Sequence, residues 1–103
     1  MITKERILKM TAYVIVIIHK MKSEEAFAEY RKFAADAIAK HGGSVVVRPS
    51  APVTLDGTAE TPSLITLLSF PSTEAAENWR NDPELKELHA QRHKGIDATI
   101  YAF

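Results

Sequence analysis

Two predicted strands are apolar on both faces, and the chain carries too few helices to cover both. Tyr13-Val14-Ile15-Val16-Ile17-Ile18 and Leu64-Ile65-Thr66-Leu67-Leu68 lack the in/out alternation of a strand with one wet face. The two helical stretches elsewhere amount to one layer of cover. A monomer would therefore expose more apolar surface than a soluble domain usually tolerates, so the second face calls for a second copy of the same protein.

Strand one is read from Ala12 to His19. Ser23 followed by Glu24 and Glu25 then marks an N-cap with acids in the positive first turn of a helix. In that helix Phe27, Tyr30, Ala34, Ala37, Ile38 and His41 share one stripe, opposite Glu29, Lys32, Asp36 and Lys40. Gly42-Gly43 supplies a left-handed stop. Ser44 to Arg48 forms strand two, and Pro49 and Pro52 confine it to an edge. Asp56-Gly57 predicts a turn that joins strands two and three into a long, kinked hairpin. Strand three spans about Ser63 to Phe70. Pro71-Ser72 opens a second helix through Trp79, and Asp82-Pro83 resets it, predicting a bend or split. Its second part aligns Leu85, Leu88, His89 and Arg92 before Gly95, and strand four follows from Ile96 to Phe103. The order is βαββαβ, which predicts an α+β ferredoxin-like sandwich with antiparallel sheet order 4-1-3-2. Residues 10–103 form the domain and residues 1–9 an N-terminal extension.

At 103 residues the chain holds one modest core. Thirteen basic and 13 acidic residues balance, giving no electrostatic reason for nucleic acid or an anionic membrane as partner. The absence of cysteine excludes disulfides, thiolate metal sites and a cysteine nucleophile. No apolar run approaches the roughly 20 residues of a membrane span, and residues 1–9 are too polar for a signal peptide, so the expected location is cytoplasmic.

Met10-Thr11-Ala12-Tyr13-Val14-Ile15, Tyr30-Arg31, His41-Gly42-Gly43 with Arg48, Leu55-Asp56-Gly57, Phe70-Pro71-Ser72, Ala75-Ala76 with Trp79, and Arg92 together resemble a widespread bacterial domain-of-unknown-function family. That family is similar to the dimeric α+β barrel superfamily, which includes antibiotic-biosynthesis monooxygenases, muconolactone isomerase and stress-responsive barrel proteins. The resemblance spans residues 10–103. It implies a homodimer whose two sheets face each other, and it implies no settled reaction. Haem-degrading members rely on an Asn, a Trp and a His over strands and a helix; here Asn78 and Trp79 both fall on a helix, which disfavours that chemistry.

Among polar residues, Arg48 and Arg92 are candidates to hold an anionic group, because a guanidinium keeps its charge and needs a partner when buried. Their bland partners would be carboxylates such as Asp97 or Glu84. His19, at the end of strand one, and His41 are candidates for proton transfer. Tyr13, Tyr30 and Trp79 are candidate walls of a pocket between sheet and helices. His89 and His93, four apart on a helix, could face one metal, but the spacing lacks an intervening acid; a solvated helix end explains them as well, and no metal or cofactor is expected. Two functions remain open: a small-ligand-binding barrel, as a cofactor-independent oxygenase or isomerase on a small anionic or aromatic compound, or a non-catalytic stress-response or interaction module whose dimer is structural.

Overall fold

The computed structural model describes residues 11–103. The expected N-terminal extension and Met10 lie outside the described residues. Four strands, β1 (Ala12–Met21), β2 (Ser44–Ser50), β3 (Leu64–Phe70) and β4 (Ile96–Ala102), form one antiparallel sheet in the order β2-β3-β1-β4. This is the ferredoxin-like order, with the two continuously apolar strands in the centre.

The helices all lie on one face. Helix α1 (Glu24–Lys40) starts where the Ser23 side chain accepts from Ala26 N–H, and it stops at Gly42, whose φ of 78° suits only glycine well. The second helical region is split as the Asp82-Pro83 pair requires. Helix α2 (Thr73–Asn81) ends at Asp82, whose side chain caps a short 3₁₀ turn (Pro83–Leu85), and α3 (Lys86–Gly95) follows. Against these helices the sheet presents Val14, Val16, Ile18, Leu68, Phe70 and Ile96, all buried, and the helices contribute Phe27, Ile38 and Trp79 to the same core. Each such side chain contributes about 1.5–3 kcal/mol on burial.

Among the described residues, nothing covers the opposite face. Ile15, Ile17, Ile65 and Leu67 are half-buried there, and Tyr13 packs on Phe103 with ring centroids 6.0 Å apart.

Strands two and three pair antiparallel as expected, but the ladder does not extend to the Asp56-Gly57 turn. β2 ends at Ser50 and β3 starts at Leu64, and residues 51–63 form an open connection with Val53 and Leu55 exposed. The chain does turn at Gly57, whose φ is 100°, and the Thr54 and Thr61 hydroxyls meet across the loop. Pro52 and Pro62 remove the amide donors that a continuous ladder would use there, so the two arms approach without pairing.

Gly95 joins the two helical halves. Its carbonyl accepts from Lys22 N and Ser23 N at 2.8 and 3.0 Å, and a Cβ at this position would sit 2.7 Å from Phe27 N. Gly95→Ala is therefore expected to lower stability by about 1–3 kcal/mol in urea denaturation, with an unchanged m-value.

Candidate functional site

A cavity of about 580 Å³ lies between α1 and the β2 side of the sheet. Its apolar walls come from the central strands, and Tyr30, Trp79 and Thr66 also line it. Three arginines, Arg31, Arg48 and Arg92, face it, and no acidic residue or histidine does among the described residues.

Arg92 is the unusual member. It is only 4% exposed, yet no carboxylate among the described residues stands within ion-pair distance of it. The carboxylates expected nearby are elsewhere: Glu84 binds Lys40 at 2.8 Å, and Asp97 is exposed on β4. Aromatic faces and one imidazole compensate the charge instead. The guanidinium carbon lies 5.6 Å from the Tyr30 ring centre and 5.8 Å from that of Trp79. Nη1 donates to His89 Nδ1 at 2.7 Å and, at a long 3.5 Å, to the Tyr30 hydroxyl. Among the described residues its other nitrogens meet no acceptor, and no buried side-chain polar atom is left unpaired there, so those groups face cavity space. A desolvated cation without a counter-ion costs several kcal/mol, a cost that an anion in the cavity would offset.

His89 sets the orientation. At 3% exposed it packs edge-on against Trp79, with centroids 5.0 Å apart, and its Nε2–H donates to the Trp79 carbonyl at 3.1 Å. That bond leaves Nδ1 bare to accept from Arg92, so His89 is the neutral tautomer with hydrogen on Nε2. Burial, and then the charges of Arg92, Arg80 and His93, lower its pKa, while the Trp79 carbonyl opposes them. The reading of His89 as a solvated helix end is thus corrected: it is core, and it supports the arginine. No group of three metal-ligating side chains occurs among the described residues.

The other expected residues separate. Tyr30, Arg48, Trp79 and Arg92 meet at this cavity. Arg48 reaches it through a β-bulge: Val45 pairs with Leu68 but Val47 with Leu67, and the extra residue turns Arg48 toward the helices. Tyr13 is not part of the cavity, because strand alternation puts it on the open sheet face. His19 lies at a bulge in β1, bound to the Thr99 hydroxyl at 2.8 Å. His41, at the C-terminus of α1, binds Asp82 Oδ2 at 2.8 Å. The same carboxylate binds Lys40, and hydrogen bonds from Lys40, His41 and the Glu84 amide hold Asp82 well below the usual carboxylate range. Both histidines are therefore outside the cavity. Arg31 is the missed member. Its signal was its place on the helical line Phe27, Arg31, Ala34, Ile38, at the margin of the apolar stripe.

A buried neutral His89 has a pH consequence. Its folded pKa is lowered, so below the ordinary histidine value near 6.5 the unfolded chain binds a proton that the folded chain refuses. Stability is expected to fall as pH drops from about 7 to about 5, and His89→Gln is expected to flatten that decline in thermal melts followed over pH.

No curated protein matches the sequence. Among solved structures, a protein of unknown function from Rhodopseudomonas palustris is 18% identical with a TM-score of 0.75, covering 100% of this chain and 93% of its own. A dimeric ferredoxin-like protein of unknown function from Jannaschia sp. is 12% identical, TM-score 0.65, covering 90% of this chain and 97% of its own. SnoaB, a cofactor-independent oxygenase from Streptomyces nogalater, is 14% identical, TM-score 0.57, over 90% of this chain and 88% of its own. These likenesses match the fold described above. The sequence profile of a domain of unknown function, DUF1330, matches residues 11–103, so the chain belongs to the DUF1330 family.

Proposed function

We propose that this protein is a homodimer that binds a small anion with an apolar, aromatic body in the cavity between α1 and the sheet. The observation that carries the reading is Arg92: a buried guanidinium without a carboxylate partner among the described residues, open to a cavity of about 580 Å³. That volume falls within the roughly 300–1,000 Å³ usual for small-molecule sites. Arg92 would take the anionic group, Arg31 and Arg48 would draw the ligand in at the rim, and Trp79 and Tyr30 would flank its ring.

The reaction class is narrower than the fold. No histidine or carboxylate lines the cavity among the described residues, so proton-transfer roles for His19 and His41 receive no support there. The substrate would enter already ionised, its charge held by Arg92. A cofactor-independent oxygenation of such an anion is consistent with this arrangement and with SnoaB among the structures of like fold. A cytoplasmic location belongs to the same proposal; no helix among the described residues is long and apolar enough to cross a membrane.

The dimer rests on the open sheet face. Tyr13, Val47, Tyr101 and Phe103 are more than two-fifths exposed there in the single chain, beside the half-buried isoleucines and Leu67. A second sheet laid on the first would dry this surface, and the protein of like fold from Jannaschia is dimeric.

Two measurements test these readings. Calorimetric titration with a panel of aromatic carboxylates beginning with benzoate is expected to show saturable binding that Arg92→Lys weakens by about tenfold or more, since an ammonium cannot reproduce the guanidinium fork. Equal affinity in the variant, or no binding by any carboxylate, rejects the site. Light scattering should give a dimer mass for the native chain and a monomer for Leu67→Glu, which puts a charge on the open face; a native monomer at micromolar concentration rejects the assembly.

A further inference from the structure

A second cavity, of about 230 Å³, opens on the other side of Arg92. It is lined by Arg80 from α2, Arg92 and His93 from α3, and the helix-facing Ile96, Ala98 and Ile100 of β4. No acidic side chain lines it among the described residues. Arg92 contributes to both cavities, as do Ile96 and Ile100, so one guanidinium stands between two voids.

The distribution of arginine makes this more than a gap in packing. The described chain contains Arg31, Arg48, Arg80 and Arg92, and every one of them lines one of these two cavities. None is ion-paired among the described residues, and neither are Lys20, Lys22, Lys86 and Lys94, while Lys32 and Lys40 hold carboxylates. The sequence as a whole is neutral, with 13 residues of each sign. The four arginines therefore gather around the two cavities, Arg92 buried between them and Arg31, Arg48 and Arg80 exposed at their rims. Such a concentration repels itself unless anions neutralise it.

We propose that the smaller cavity is a second anion subsite, fitted to a small oxyanion rather than to an aromatic ligand, and that it shares Arg92 with the larger one. The volume falls below the range usual for drug-sized ligands but accommodates a carboxylate, bicarbonate, sulfate or phosphate group with a few waters. Arg80, exposed at the rim, and His93 would close on the oxyanion from α2 and α3, while Arg92 presents from within the nitrogens that His89 does not engage. Because both subsites draw on one guanidinium, occupation of one weakens the other, and by linkage the weakening is mutual.

His93 reports on the subsite. Burial first, then Arg92, Arg80 and Lys22 lower its pKa, and these cations come from its own helix, from α2 and from the end of β1. An oxyanion bound among them would reverse the direction, raising the His93 pKa and tightening as pH falls through its titration.

The probe is inorganic sulfate, whose charge is constant across this pH range. Titration at fixed ionic strength, read by the His93 ring resonances and by calorimetry, is expected to saturate at millimolar concentration, with affinity rising from about pH 7.5 to about 5.5. Arg80→Gln should weaken sulfate by about tenfold or more, and His93→Gln should abolish the pH dependence. Lys20→Gln, which removes the same charge from an exposed strand position, should change little. Shifts that never saturate, or equal affinity in Arg80→Gln and the native protein, overturn the subsite. Sulfate affinity unchanged by bound benzoate overturns the sharing of Arg92. Saturable sulfate without any carboxylate binding leaves this subsite standing and removes the larger-cavity reading.

Discussion

Every element of this domain is placed by the pairing of β1 with β3. The register sets Val14 against Leu68 and Ala12 against Phe70 on one face, and Ile15 against Leu67 and Ile17 against Ile65 on the other. Both strands are apolar throughout, so both faces of their shared ribbon must be dried. The helices can dry only one. α1, α2 and α3 cover Val14, Val16, Ile18, Leu68 and Phe70, and the remaining face is left for another surface. The architecture follows from that imbalance more than from any propensity of the helices.

The same one-sided packing creates the cavities. α1 lies over the sheet with Ala34 and Ala35 facing the void, and α3 leans on α1 at Gly95, where there is no room for a side chain. Between these contacts a void remains over a floor of strand residues, Val16, Thr66 and Leu68 among them. Arg92 stands at that floor, held by aromatic faces and by a histidine whose own proton is fixed on a backbone carbonyl. A cation so placed is costly without an anion, and its rigid support by His89 keeps the remaining donors directed at open space.

Much of this was legible in the residues. The apolar runs, the Ser23 and Asp82 caps and the Gly42 stop mark the elements, and strand polarity identifies the centre and edges of the sheet. The stripe Leu85, Leu88, His89, Arg92 already placed a guanidinium on a buried helix face. The segment between β2 and β3 stays open because a strong turn signal at Asp56-Gly57 does not ensure that its flanks pair; Pro52 and Pro62 decide that. Tyr13 lies on the open face and not at the cavity, and a strand apolar on both sides does not show which side the helices take. His41 sat in the apolar stripe of α1, yet its position at the helix end brings it to Asp82 and away from the cavity.

By itself, then, the sequence determined the element order, the central strands, the helix boundaries and the need for cover on a second face, because these rest on local periodicity and on the chemistry of caps and breakers. Tertiary structure alone decided which charges meet. A bulge at Val45 to Val47 turns Arg48 inward against simple alternation, the crossing of α1 and α3 brings Tyr30 to Arg92, and the split at Asp82 sets Arg80 beside His93's cavity. Such meetings depend on angles and registers between distant segments, and no local pattern encodes them.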